Sequence, residues 1–433
     1  MASHFQGDVA MKSLIFLSLV ILNMLLSPVS RADPSAWSQA LQGLERINGF
    51  EADAEIKDLI PAFEALPADP DQKAILALFE EQNLAQWSTR LDEYLSLSDL
   101  LFDSLSPGPQ ASLKTEFETC RRTLRDFQQA ITTYVLRIHP GLDGLGLTPL
   151  QAQWKGRGIR IVVFDVFESA RIEEQRRLYS KAHIADPLIF GRPVELSHGN
   201  TVIDIILQLA PEADIIPVAA DAKSYGAAMQ HLADRTDIDI INMSRAFPED
   251  PLTKKVEAGF KADLRRWTRS GLFVKSLGNT GTDLMGTLTR RRVEKGLGPV
   301  STLTSYDLKL IREMYQDEEE IGLEVLALNL ALFAQDLALS ATIPGAVEAV
   351  QERTLAVPAE GIFSPATGTF ESGSSFAAPQ ITAWLALHLE QRLSLHPKEE
   401  RVTARQAVYQ ETLENADREG HSATEWGRGR PVP

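Results

Sequence analysis

An α/β fold built on a parallel sheet, preceded by a mostly helical N-terminal region, is what this chain of 433 residues predicts. Three observations carry that expectation. From about residue 159 onward, short apolar runs alternate with longer amphipathic stretches, the pattern of buried parallel strands joined by crossover helices. Upstream, apolar residues recur at three- and four-residue steps, the period of a helix with one buried stripe. Between the two regimes lies a dense set of breakers, His139-Pro140-Gly141, Gly144-Leu145-Gly146, Thr148-Pro149 and Lys155-Gly156-Arg157-Gly158. Pro and Gly at this density end helices and mark linkers.

Composition narrows the function classes. Hydrophobic residues make up 44% and charged residues 24%, globular values that exclude a disordered or collagen-like chain. Lys and Arg number 43 against 59 Asp and Glu, a net charge of −16. That balance argues against nucleic acid as the main partner, since phosphate binding needs clustered cations. A single cysteine, Cys120, excludes an intramolecular disulfide and any multi-cysteine zinc site.

Residues 1–32 have the grammar of a signal peptide. Lys12 precedes an apolar run over 14–26, and Ser30-Arg31-Ala32 supplies small residues at the cleavage positions. The run is shorter than the roughly 20 residues a membrane span needs. The expectation is a secreted or periplasmic protein with no stable membrane span after signal removal. Residues 33–146 then form a helical domain. Its clearest stripe is Leu113, Phe117, Cys120, Leu124, Phe127, Ile131, Tyr134 and Ile138, which makes Cys120 a core residue. Shorter helices are expected over 72–82 and 91–102.

The α/β region is expected to span 150–433. Strands are predicted over 159–164, 214–218, 238–243 and 272–276, and helices over 199–209, 224–233, 254–269 and 380–389. The stretch between Gly281 and Pro344 reads as largely helical, and its acidic run over 317–320 as a solvated face. In open parallel sheets, ligands sit beyond the carboxyl ends of the strands. Asp165 stands at one such end, Ser244 at another, and Gly278-Asn279 beyond a third. His198 opens an apolar helix in Ser197-His198-Gly199-Asn200-Thr201-Val202, and Ser375 sits near a helix start in Gly373-Ser374-Ser375-Phe376-Ala377-Ala378-Pro379. Taken singly, each is an ordinary turn or cap residue. Together they supply the parts of nucleophilic catalysis. A serine hydroxyl needs a base to take its proton, and histidine, with a pKa of about 6.5, suits that task near neutrality. A carboxylate fixes the tautomer of that base, and a side-chain amide can bind an oxyanion.

These segments, with Val162-Val163-Phe164-Asp165, Ile241-Asn242-Met243-Ser244 and Ala210-Pro211-Glu212-Ala213-Asp214-Ile215, resemble the subtilases, the subtilisin-like serine proteases. The chain order Asp, His, Ser is that family's order, and the resemblance runs from about residue 154 to at least 389. It implies a subtilisin-like catalytic domain with Asp165, His198 and Ser375 as the triad and Asn279 as an oxyanion donor. It also implies that Ser244, Arg245, Ala246 and Gly278 border the substrate. Four departures stand out: Val166-Phe167 follow the Asp where the family has a small residue and Gly, Asn200-Thr201 replace Thr-His, Ser374 replaces Thr, and Arg245-Ala246 replace Leu-Gly. Family members often carry a pro-segment, which makes the helical domain a candidate for one, cut near residues 140–153. The resulting expectation is an exported serine endopeptidase acting on protein or peptide substrates, with no cofactor and no assigned metal. A catalytically silent binding module, or an esterase or amidase using the same triad, are the alternatives.

Overall fold

The computed structural model describes residues 36–52, 56–57, 60–61, 84–138, 148–193, 195–221, 224–245, 253–299, 311, 322–330, 337–338, 340–360, 362–364 and 369–432. The expected signal segment, the helix over 72–82, the first part (140–147) of the expected cut region over 140–153 and the acidic run over 317–320 lie outside them, while Thr148–Gln153 of that cut region form a short helix. The chain divides into two compact units, Met1–Gly141 and Leu142–Pro433.

The first unit contains helices α1 (Ala36–Asn48), α2 (Leu84–Asp103) and α3 (Pro107–Ile138). Within the stripe read from the sequence, Phe117, Cys120, Leu124 and Phe127 are buried. Trp37, Leu41 and Leu44 of α1 and Leu91, Leu95 and Phe102 of α2 are likewise buried. Ring contacts join Trp37 to Phe127 at 4.8 Å and Phe102 to Phe117 at 4.0 Å. A Cβ at Gly43 would lie 2.6 Å from Cys120 Sγ, so a glycine is what lets α1 and α3 approach at this level. Burial pushes the Cys120 thiol pKa upward, away from the thiolate a reactive cysteine requires.

The second unit is an eight-stranded sheet covered on both faces. Its strands are β1 (Arg160–Asp165), β2 (His183–Ile184), β3 (Leu188–Phe190), β4 (Asp214–Ala220), β5 (Ile240–Met243), β6 (Leu272–Ser276), β7 (Glu324–Leu330) and β8 (Thr354–Pro358). They run in the order β2-β4-β1-β5-β6-β7-β8, with β3 also on β4, and every pairing is parallel. A hairpin of β9 (Ile362–Ser364) and β10 (Thr369–Glu371) stands apart from it. The parallel α/β class read from the sequence is the class of the structure.

Burial on both faces explains the near-continuous apolar strands. One face, with Ile161, Val163, Ile215, Ile240, Val274, Val325 and Leu355, packs beneath α5 (His198–Leu209) and α8 (Ser374–Leu395). The opposite face, with Val162, Phe164, Val218, Ile241, Met243 and Phe273, packs against α6 (Tyr225–Leu232) and α7 (Thr253–Thr268). From β1 the chain moves through α4 (Ser169–Leu178) to the β2–β4 side, and from β5 it moves to the β6–β8 side. The switch point therefore falls between β1 and β5, the place where open parallel sheets form a crevice at the carboxyl ends.

Two expectations need correction. Residues 324–330 form a fully buried strand, not part of a helical stretch. An apolar run such as Glu324-Val325-Leu326-Ala327-Leu328-Asn329-Leu330 suits a buried helix and a two-face-buried strand equally, and periodicity alone cannot separate them. The last sheet-packed helix begins at Ser374, not at residue 380, and runs through Pro379. Pro379 lacks only the N–H that would reach the carbonyl of residue 375, so the helix continues with one bond missing near its start.

At the amino ends of the strands, Asp239 is fully buried and is bound by two arginines of α9 (Arg401–Glu414). Arg401 Nε and Arg405 Nη2 each lie 2.7 Å from Asp239 Oδ1. Arg405, 1% exposed, also donates to the carbonyls of Ser270 and Thr236. Removing one member of a buried ion network strands the others without solvent. Arg405→Met should therefore lower unfolding free energy by about 3 kcal/mol in urea titrations. Arg157→Gln, which breaks only the exposed pair with Glu212, should cost less than about 1 kcal/mol. Equal, small losses in both would contradict the network's role.

Candidate active site

The crevice at the switch point gathers the residues singled out in the sequence. Asp165 is the last residue of β1 and has no exposed surface. Its Oδ1 accepts the Val166 backbone N–H at 2.8 Å. Both carboxylate oxygens face His198 Nδ1, at 3.0 Å and 2.9 Å. That contact requires the Nδ1–H tautomer and leaves Nε2 with the lone pair.

His198 is the first residue of α5, and its side chain is 31% exposed. The next residue, Gly199, donates its N–H to the Val166 carbonyl at 2.9 Å. A Cβ there would stand 2.5 Å from both the Val166 oxygen and the Phe167 ring. The bulk that follows Asp165 is buried beside Gly199. Val166 and Phe167 are core residues, and they press on the glycine that admits them. Asn200 has a structural task as well. Its Nδ2 donates to Gln175 Oε1 at 3.0 Å, and its Oδ1 accepts the Glu168 N–H at 3.0 Å. Gln175 Nε2 returns bonds to the Asn200 carbonyl and to Asp204 Oδ1, at 2.6 Å and 2.7 Å. This buried set moors the start of the histidine helix to α4. Sequence reasoning missed it because Gln175 lies 25 positions away in a helix that carries no motif.

Ser375 is the second residue of α8, in the first turn, where N–H groups have no intrahelical acceptor and favour negative charge. Its Oγ donates to the Ser244 carbonyl at 2.8 Å. The next residue, Phe376, puts its ring 5.4 Å from the His198 ring, centre to centre. A polar chain moors this helix to β5: Ser244 Oγ donates to Asn242 Oδ1 at 3.0 Å, and Asn242 Nδ2 to Thr382 Oγ1 at 2.9 Å. Asn279 Oδ1 accepts the Ser374 N–H at 2.8 Å, which fixes the amide plane and so the direction of Nδ2. Gly373, at φ 135°, passes so close that a Cβ would lie 2.7 Å from Asn279 Nδ2. The Asn279 turn is held in return: the Gly278 N–H donates to Ser374 Oγ at 3.0 Å, and the Thr280 N–H to Thr342 Oγ1 at 3.0 Å.

The structure therefore brings Asp165, His198, Ser244, Arg245, Gly278, Asn279 and Ser375 to one end of one sheet. Ala246 lies outside the described residues. Arg245 does not simply border the crevice: its Nε is 3.9 Å from Asp165 Oδ1. Among the described residues, no group of three or more His, Cys, Asp or Glu side chains could hold a metal ion, and no helix is long and apolar enough to cross a membrane.

The His198 pKa is raised. Burial acts against the imidazolium, but the charge of Asp165 and its hydrogen bond outweigh it, and Glu371 adds in the same direction. Arg245 opposes them. A base of this kind works deprotonated, so activity that depends on it should rise with pH through a transition above about 6.5 and be lost as pH falls below that transition.

No protein-family model matches the chain, and no curated protein is found as a relative. Solved structures similar to it include a lanthipeptide protease, with 15% identity and a TM-score of 0.45 over 67% of this chain and 95% of that one. The prenylagaramide maturation protease PagA has 17% identity and a TM-score of 0.44, over 67% and 96%. The PatG macrocyclase in complex with peptide has 15% identity and a TM-score of 0.44, over 66% and 93%.

Ser374 separates the two adjacent serines. Ser374→Ala removes the acceptor of the Gly278 N–H and should cost about 1–3 kcal/mol of stability. Turnover should persist, because the backbone N–H of residue 374 still orients Asn279. Ser374→Thr should restore the thermal midpoint. A folded Ser374→Ala chain with no activity would show that the nucleophile is misassigned.

Proposed function

We propose that this chain is an exported subtilisin-like serine endopeptidase. The observation that carries the reading is the buried Asp165 carboxylate bound by both oxygens to His198 Nδ1, at 2.9 Å and 3.0 Å, in the crevice that also holds Ser375. In the proposed reaction Ser375 Oγ attacks the scissile carbonyl carbon while His198 Nε2 takes its proton. The developing oxyanion is met by the Ser375 backbone N–H and Asn279 Nδ2. Collapse of the tetrahedral species breaks the C–N bond, and His198 returns the proton to the leaving amine. A water deprotonated by His198 then releases the acyl group from Ser375. No step calls for a cofactor, and the substrates are proteins or peptides.

Export rests on the basic, apolar and small-residue pattern of residues 1–32, with a secreted or periplasmic destination. The helical unit is proposed as a pro-segment, removed by a cut within residues 140–153. One observation favours a second reading, a binding module on the same fold: the Ser375 hydroxyl donates to the Ser244 carbonyl. In free enzymes catalytic hydrogen bonds often form only once substrate is present, so that contact is compatible with catalysis.

Casein digestion tests the proposal. The wild-type chain should digest casein and the Ser375→Ala chain should not. Asn279→Ala should lose about 10²–10³-fold in kcat, and Asp165→Asn about 10⁴-fold. Undigested casein with the wild-type chain at every pH between 5 and 10 would favour the binding module. Hydrolysis of small esters alone would favour an esterase.

A further inference from the structure

Asp165 carries more than its histidine. A second cation, Arg245, reaches the same carboxylate, with Nε 3.9 Å from Oδ1, and its side chain is 30% exposed. The backbone that places it is fixed. The Arg245 carbonyl accepts Lys275 Nζ at 2.8 Å, and Lys275 is buried and donates also to the Ser276 carbonyl at 3.1 Å. The preceding carbonyl, that of Ser244, receives the Ser375 hydroxyl. By the family resemblance, Arg245 is expected to border the substrate. The structure turns it to the carboxylate of the triad.

We propose that Arg245 is a positioning residue for the catalytic base, dividing the charge of Asp165 so that His198 stays neutral at lower pH than Asp165 alone would allow. The chemistry is asymmetric. A guanidinium keeps its proton throughout the working range, whereas the imidazole must give and take one in each half-reaction. Both claim one buried carboxylate. A fixed positive charge on that carboxylate weakens its hold on the imidazolium and leaves its hold on the neutral ring, a hydrogen bond, largely intact.

The charged groups facing His198 come from three places. Asp165 on β1 and Glu371 at the end of β10 favour the imidazolium, and Arg245 beyond β5 disfavours it. Asp204, on the histidine's own helix, is engaged by Gln175. Phe376 contributes an uncharged ring. Arg245 is thus the cation among these groups, and its removal should leave burial as the one influence that lowers the base, against two carboxylates that raise it.

The test reads the imidazole directly. His198 is titrated by NMR in the full chain carrying Ser375→Ala, with Arg245, Arg245→Lys or Arg245→Gln, each checked for an unchanged far-UV spectrum and thermal midpoint. Arg245→Gln should raise the His198 pKa, and Arg245→Lys, which keeps the charge, should restore most of the original value. Arg157→Gln, at a distant exposed pair, should change nothing. In parallel, with Ser375 intact, the acidic limb of kcat/KM for a neutral peptide should move to higher pH in Arg245→Gln. Rates on that limb should fall by about two- to fivefold, the size of a partly exposed ion pair. The rate measurement rests on the protease reading, whereas the titration does not. Absent hydrolysis at every pH would sink that reading and leave the titration to decide on Arg245. An unchanged or lowered His198 pKa in Arg245→Gln, or equal shifts in the Lys and Gln chains, would overturn the proposal.

Discussion

A carboxylate with no exposed surface, Asp165 at the end of β1, is the constraint around which this site is arranged. Buried charge is tolerated only when it is paired and hydrogen-bonded. Here the pairing is supplied by the Val166 N–H, by His198 Nδ1 and, at longer range, by Arg245. Each partner comes from a different element, so satisfying one carboxylate draws together the turn after β1, the start of α5 and the segment after β5. The switch point of the sheet provides the crevice, and the carboxylate decides what fills it.

The remaining parts are held to that centre by neutral polar ties. Gln175 and Asn200 moor the histidine helix, Asn242 and Thr382 moor the serine helix to β5, and Ser374 locks the turn of Asn279 to the first turn of α8. Such ties fix geometry without adding charge, which leaves the electrostatics of the base to Asp165, Glu371 and Arg245. Glycines occur where backbone or side chains must come closest, as at Gly199 under Phe167 and at Gly373 beside Asn279.

Much of this was legible in the sequence because chemistry-bearing residues sat at element boundaries. Asp165 ended an apolar run, His198 opened a periodic one, and Ser375 preceded a small-residue helix. The strand over Leu272–Ser276 was readable to the residue, since Gly271 and Gly278 punctuate it. What could not be read has physical causes. The run over Glu324–Leu330 is apolar on every side, so its period is silent about helix or strand. The helix expected over 380–389 starts at Ser374 and passes through Pro379, a residue that normally breaks the ladder. Gln175, Lys275 and Glu371 act through space across long sequence separations and belong to no local pattern. Arg245 was visible as a departure, but only the fold shows that it faces the carboxylate.

The central claim is that Ser375 is a nucleophile activated by a base that Asp165 holds in place. The most direct measurement is reaction of the full chain with a fluorophosphonate, followed by peptide mapping of the adduct. One phosphonyl group on Ser375, lost in both Ser375→Ala and His198→Ala, is the result expected. An adduct on another residue, or none on a folded wild-type chain, would contradict the claim.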